Sequence, residues 1–486
     1  MMRKGLFALA LCGGLSACGA GPDAESSSEA DGENVGQATF ELMTVPAGVG
    51  CLRITVSGSS SVTRDFTLAT PASTASLDMA RLPLGTVTIN GLAYATTCGV
   101  DDPIYLADPT SATLSAGVIS NIALTFRKNN PVKASVNFVG NVQAISAQDS
   151  ASYAVIDGTL YRWGYSPAGA GSAVKPTAVT GITGVVDVNS GPRSSSPCAI
   201  KSDGTVWCFG NNAYGQISSS NVGTTLTTPV KYGGGTGYTL ASAGAFFNCA
   251  ANPLGKQLYC SGDNSDWQLA NGVPVTGTTT PAVTFTGGIS SISLGYTHVC
   301  LVDGMLTVRC VGNNDGGQLG DGTAGIDRSA WTTTLTGATS ASSGTFHSCA
   351  VMSDGTARCW GTNNQGQLGD GTQTTRLAPV AVTGLTGVAK LSLGDAFSCA
   401  LLNNGSVKCW GFNTSGQLGD GTVTSRNIPT TVLGIPDPVT MLATGFNHAC
   451  AVTTRQDIYC WGANMYGELG NGGFINSTKA VKVTLP

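Results

Sequence analysis

Thiols and imidazoles carry most of the reactive chemistry open to this chain, and their spacing says which chemistry that is. The sequence holds 16 cysteines and three histidines. Twelve cysteines fall into six pairs ten or eleven residues apart: Cys198 with Cys208, Cys249 with Cys260, Cys300 with Cys310, Cys349 with Cys359, Cys399 with Cys409 and Cys450 with Cys460. None has the Cys-x2-Cys spacing typical of structural zinc sites. A β-hairpin explains them instead. If Ser353-Asp354-Gly355 is a three-residue loop with a left-handed glycine, Met352 faces Thr356. Counting three residues outward then sets Cys349 opposite Cys359. Facing Cβ atoms lie about 4.5–5.5 Å apart, and a modest twist brings them to disulfide range. Asn404-Gly405 places Cys399 and Cys409 alike. The Cys249 hairpin is one residue longer and the Cys450 hairpin lacks the glycine, so both call for a different loop. Cys51 and Cys98 form a seventh pair. Bridges in this number require an oxidising compartment.

The histidines point away from catalysis. His298, His347 and His448 each stand two residues before the first cysteine of a pair, where other units carry Phe397, Phe247 or Ser196. A position that accepts phenylalanine reads as packing. Trp163, Trp360, Trp410 and Trp461 recur in the same way and read as core between units. Turns such as Gly369-Asp370-Gly371 lack the alternating acids and terminal Glu of an EF-hand loop. The reading therefore assigns no catalytic residue, no metal and no cofactor. Net charge is −4 with no basic run, which excludes phosphate-led binding of nucleic acid.

These residues are positioned by a repeat. The glycine of a recurring Trp-Gly falls at Gly164, Gly210, Gly262, Gly312, Gly361, Gly411 and Gly462, at intervals of 46, 52, 50, 49, 50 and 51 residues. Each unit contains short strand-like runs between Gly, Asn and Asp turns, without helical periodicity. Charged residues are only 11% of the chain, against about 25% ordinarily, and glycine is roughly twice its usual share. A period near 50 built of short strands indicates propeller blades of about four strands each.

The unit His347-Ser-Cys-Ala-Val, Asp354-Gly, Cys359-Trp-Gly-Thr-Asn, Gly366-Gln-Leu-Gly-Asp-Gly-Thr372 is similar to the regulator of chromosome condensation repeat, as is Phe397 to Thr422. The resemblance covers about residues 131–486 and implies an all-β seven-bladed propeller. Three units depart from it: the second with Gly215-Gln-Ile-Ser, the third with Asp266-Trp-Gln-Leu-Ala-Asn, and the first, which lacks the Gly-Gln-Leu-Gly element and has Tyr153 and Arg162 at the cysteine positions. The last unit ends at Ala480–Pro486, short of a whole blade, so Val132–Phe138 and Val142–Ser146 are expected to supply the missing strands and close the ring from both termini.

Residues 39–128 share none of this repeat. Leu52–Val56, Phe66–Leu68, Thr86–Asn90 and Ile119–Phe126 read as strands, and Leu82–Gly91 resembles the strand–turn–strand phrase of small immunoglobulin-like or prealbumin-like sandwiches. Ahead of them, Arg3-Lys4 and a short apolar run make an export signal over residues 1–17. Leu15-Ser16-Ala17-Cys18 resembles the lipobox of bacterial lipoproteins, which implies cleavage before Cys18 and its acylation. Gly19 after it favours the outer membrane or cell surface. Residues 18–38, acidic and aperiodic, read as a flexible tether.

The resemblance includes relatives that promote nucleotide exchange on a nuclear GTPase, a role an exported chain does not meet. The expectation is a lipid-anchored, monomeric, non-enzymatic module that binds an extracellular protein or glycan. Its contacts are expected at variable turn tips, with Tyr214, Trp267, Gln365 and Tyr466 as candidates, although each is also an ordinary turn residue taken singly. The alternatives are an enzyme inhibitor of the propeller type and a lyase or hydrolase working in the channel. No acid cluster or nucleophile–base pair stands out to support the last.

Overall fold

The computed structural model describes residues 36–42, 49–67, 75–82, 85–94, 98, 105–107, 110–114, 122–127, 132–137, 140–165, 171–252, 256–272 and 278–485. The leader, Cys18 and the tether as far as residue 35 lie outside the described residues. Among those described, no helix is long and apolar enough to cross a membrane.

Seven sheets of four antiparallel strands follow one another from Val142 to Lys482. They are blades 1 to 7, and in each the four strands run in chain order from the axis outward. Blade 5 is typical: Ala338–Ser343, His347–Met352, Ala357–Gly361 and Arg376–Ala381. The first strands of successive blades pack side by side, and that of blade 7 packs on that of blade 1. The ring is therefore closed by packing. The expected sharing of one blade between the two termini does not occur. Blade 7 is completed by its own strand Ser477–Lys482, while Val132–Asn137 pairs with Ile122–Arg127 and Gly36–Leu42 in the front sheet. Counting blades from the Trp-Gly misplaced the boundary, because each blade begins with the axial strand some twenty residues before that glycine.

The front sheet has nine antiparallel strands, in the order Ser61–Thr67, Cys51–Ser57, Gly85–Tyr94, Tyr105–Ala107, Ile122–Arg127, Val132–Asn137, Gly36–Leu42 and Ala75–Leu82, with Thr110–Leu114 also paired to Gly85–Tyr94. It thus extends beyond residue 128. Leu52, Ile54 and Val56 alternate onto a buried face with Val87 and Ile89. Cys51 is bridged to Cys98.

Within the blades every cysteine of a second strand faces its partner on the third in register, and each pair is a disulfide. Cys198 is bridged to Cys208, Cys249 to Cys260 and Cys300 to Cys310. Cys349 is bridged to Cys359, Cys399 to Cys409 and Cys450 to Cys460. All twelve are buried, so Cys208, Cys260 and Cys460, like the rest, serve as staples and offer no thiol to a functional site. Met352 N–H donates to Thr356 O at 2.8 Å, and Gly355 has φ 77°, as a three-residue loop requires. The hairpin between Cys450 and Cys460 uses the same loop after all. Gln456 takes the left-handed place at φ 66°, as Leu306 does in blade 4 at φ 58°. The short loop is demanded by the strands, and it forces the conformation on residues that would not choose it. In blade 1, Tyr153 faces Arg162 in the register the cysteines hold elsewhere.

Each repeat tryptophan packs into the blade before its own: Trp360 against Leu319 and Cys310, Trp410 against Leu368, Trp461 against Leu418, and Trp163 against Leu469 across the closing seam. All four are fully buried, and truncating such a side chain costs about 3–5 kcal/mol. The glycine after them is fixed by close approach. At Gly361, φ is 100° and a Cβ would lie 2.6 Å from Phe346 O and 2.9 Å from His347 Cα.

Candidate functional site

The strand order gives the ring two unlike faces. Hairpin loops such as Ser353–Gly355 lie on one, the hairpin face. The connections from first to second strand and from third to fourth strand lie together on the other, the tip face.

A tip-face connection of more than ten residues needs fastening, and side chains supply it. In blade 5, Asn363 Oδ1 accepts Leu368 N–H at 2.9 Å while its amide donates to Thr372 O and Thr374 O. Gln367 Oε1 accepts Gln365 N–H at 2.9 Å. Asp370 accepts from Thr372 N–H and Oγ1–H, and pairs with Arg376 at 2.8 Å. Blades 4 and 6 repeat this with Asn314, Asp321 and Arg328, and with Asn413, Asp420 and Arg426. Burial alone would raise these carboxyls. The threonine and arginine donors outweigh it and hold Asp321, Asp370 and Asp420 below the usual range. Blades 2 and 3, which depart in sequence, keep the asparagine: Asn212 accepts Ile217 N–H, and Asn264 accepts Leu269 N–H. The two residues after each asparagine take no part in the core of this knot, so their side chains are free to vary.

Three of the four proposed contact residues are such tips. Tyr466 is exposed beside Met465, Gln365 is partly exposed, and Tyr214 is partly buried against Phe246 at 5.2 Å. Trp267 differs. It occupies the position held by Gly366 and Gly416 in other blades, at φ 64°, so the tips of blade 3 are Ser265 and Asp266. The chain accepts about 1–3 kcal/mol of backbone strain to present an indole there.

Sequence reasoning missed Arg193. It stands on the first connection of blade 2, where Gly191 to Ser196 is two residues longer than the Gly-x-x-His of other blades, and that extra length was the available signal. Its guanidinium pairs with Asp395 of blade 6 at 3.0 Å and lies over the rings of Phe446 of blade 7, at 4.4 Å, and Tyr296 of blade 4, at 5.3 Å. Contacts on three distant blades place it across the mouth of the axial channel. Around it, Phe246, Tyr296 and Phe346 follow edge to face at 5.6 and 5.9 Å.

The histidines are seams. His298 Nε2 meets Ser348 Oγ at 2.9 Å, His347 meets Ser398 at 3.0 Å, and His448 meets Ser152 at 2.8 Å, each in the next blade. Every one of those serines donates its own hydrogen to a backbone carbonyl, so Nε2 must carry the imidazole proton. Nδ1 is buried with no partner. Desolvation pushes His298 and His347 down to about 3 and His448 to about 4, leaving them neutral. Where the position is Phe397 or Phe247, the facing residue is Ala449 or Val299, so the seams are matched in polarity. Among the described residues no group of three or more His, Cys, Asp or Glu is placed to hold a metal.

The profile of the RCC1-like domain matches residues 172–485. Human WBSCR16 superposes with a TM-score of 0.58 at 21% identity, over 65% of this chain and 85% of that one. Yeast RCC1 (Prp20), in a structure with Kap60 bound, gives 0.58 at 18% identity, over 71% of this chain and 87% of that one. Prp20p from Saccharomyces cerevisiae gives 0.55 at 19% identity, over 64% and 81%. At these identities the likeness speaks to the fold.

Proposed function

This chain belongs to the family of RCC1-like domains, and from that premise we propose that it is a non-catalytic, monomeric binding module, lipid-anchored at Cys18 on a bacterial cell surface, that holds another protein with the tip face of its propeller. One observation carries the choice of face. Of the fifteen exposed large apolar side chains among the described residues, nine lie on the tip-face connections, including Ile326, Val423, Met465, Tyr466, Phe474 and Ile475. A monomer gains nothing from apolar side chains gathered on one face, and such gatherings serve partners. The yeast relative is described by its binding to Gsp1p and histones, so the fold serves protein recognition there. The export signal and the bridges favour a partner outside the cytoplasm. In this reading the front strands, joined in one nine-stranded sheet in place of the expected small sandwich, space the propeller from the membrane.

The test is capture from envelope and culture-medium extracts by the oxidised chain. We expect a specific protein to be retained, lost with M465S/Y466S/I475S and kept with M305S/L306S on the hairpin face. If the partner is an enzyme silenced at one-to-one stoichiometry, the module is an inhibitor. Capture insensitive to the tip substitutions would overturn the choice of face. A hit on a glycan array with no protein retained would replace the protein by a glycan.

A further inference from the structure

The axial channel carries chemistry that the tip-face reading does not use. The seven first strands enclose a cavity of about 560 Å³, within the ~300–1,000 Å³ of small-molecule sites. A glycine follows each first strand, with Gln148 in its place in blade 1. Two residues before it stand Ser146, Asn189, Ser242, Ser293, Ser342 and Ser392, with an alanine in blade 7. Some of these hydroxyls spend one bond on a neighbouring blade, as Ser342 does on Leu391 O, and a hydroxyl keeps capacity for more. Two residues nearer the hairpin face, Asp187 of blade 2 and Lys390 of blade 6 stand on opposite walls. Lys390 makes no ion pair or hydrogen bond among the described residues, and Asp187 acts on it only at longer range. Lys390 is reached by water in the channel yet ringed by protein. The walls draw its ammonium below the ordinary value and raise the Asp187 carboxyl, because each is short of solvation.

The channel has one open end. On the tip face the long connection of blade 2 folds over it. Gly191 N–H donates to Ala243 O at 2.6 Å, a Cβ on Gly191 would lie 2.6 Å from Leu294 O of blade 4, and Arg193 spans to Asp395. At the hairpin face, Gln143, Val186, Ser290 and Thr339 are exposed around the mouth. From this geometry we infer that the channel is a blind pocket for a small hydroxylated carboxylate, a sugar acid of one or two rings, entered from the hairpin face. Its carboxylate meets Lys390 and its hydroxyls meet Asp187 and the serine ring.

Calorimetric titration of the full oxidised chain with glucuronate, glucose and acetate tests this. Glucuronate is expected to bind once per chain, with glucose and acetate at least tenfold weaker. K390M should weaken glucuronate at least tenfold, and K390R should stay within threefold. A second readout needs no variant: glucuronate should slow acetylation of Lys390, and leave exposed Lys479 unaffected, by mass spectrometry. Glucose binding as tightly as glucuronate, or K390M without effect, would remove the lysine from the site and overturn the assignment. No binding and no protection would sink the pocket itself. Neither result bears on the tip face, which lies at the opposite end of the axis.

Discussion

In blades 4 to 6 the two ends solve one problem, holding a turn in place, by different means. At the hairpin end a loop of three residues is closed by backbone hydrogen bonds, with a disulfide three residues behind it. At the tip end the loop is several times longer and is tied by a buried asparagine, a glutamine, and an Asp–Thr–Arg cluster. The contrast teaches why variation gathers where it does. A turn fixed by strand register has no residue to spare. One fixed by a few buried side chains releases the residues between them, such as Asn364-Gln365, Thr414-Ser415 and Met465-Tyr466, whereas the hairpin loops change residues within a fixed length, from Ser353-Asp-Gly355 to Thr454-Arg-Gln456.

The largest test of that contrast is covalent. Removing one bridge with C399A/C409A should lower stability by about 2–3 kcal/mol, since it closes about ten residues. It should leave capture through the tip face unchanged, as read by chemical denaturation beside a binding assay. Loss of capture would mean that the hairpin end supports the tips and that the ends are not independent. The reciprocal change is Asp370→Ala, which strips Thr372, Arg376 and Asn363 of an acceptor. It should cost about 1–3 kcal/mol and speed amide exchange in residues 364–376 while the Cys349 hairpin stays protected.

Acid separates the ends from the seams. The seam histidines have folded pKa values far below the ordinary 6.5, so the unfolded chain takes the proton first. Their contribution is whole above about pH 6.5 and drains as pH falls towards 3 to 4. Asp321, Asp370 and Asp420 are likewise depressed, from 3.8. Their contribution is present above that value and is lost only as pH falls through their lower folded values. Thermal melting should therefore decline from about pH 6.5, before the tip loops loosen. The double change H347F/S398A, which copies the Phe397–Ala449 seam, should flatten the first decline. An unchanged slope would acquit the histidines. The smallest effect is expected from Trp267→Gly, which relieves the left-handed strain and should raise stability by about 1 kcal/mol while weakening capture.

What could be read from residues alone was whatever rests on local register. The facing cysteines of the six pairs, from Cys198 with Cys208 to Cys450 with Cys460, follow from a turn and a count. The one-residue-longer spacing of Cys249 and Cys260 changed the loop and left the pairing intact. The histidines were legible as packing because phenylalanine takes their place. The loop of the Cys450 hairpin was not legible, because Gln456 adopts a left-handed conformation that only the flanking strands impose. Trp267 was placed among the tips for a related reason: the glycine whose seat it takes is missing from its unit. Arg193 was hidden because its role depends on which blades stand across the axis, and the pairing of Val132–Asn137 with the front sheet depends on a strand nearly a hundred residues earlier. Both are long-range facts that spacing does not encode.

Each sheet of the ring is built from four consecutive strands, and the closing seam rests on side chains such as Trp163, Ser152 and Gln456. The ring is accordingly modular at the level of the gene. A copying error that duplicates residues 338–387 would deliver one complete additional sheet, with its own bridge, tip loop and pair of seam surfaces. A propeller whose termini share a blade has one unit that cannot be copied whole. Here every blade is a contiguous stretch of sequence, and adding or removing one whole would strand no unpaired strand.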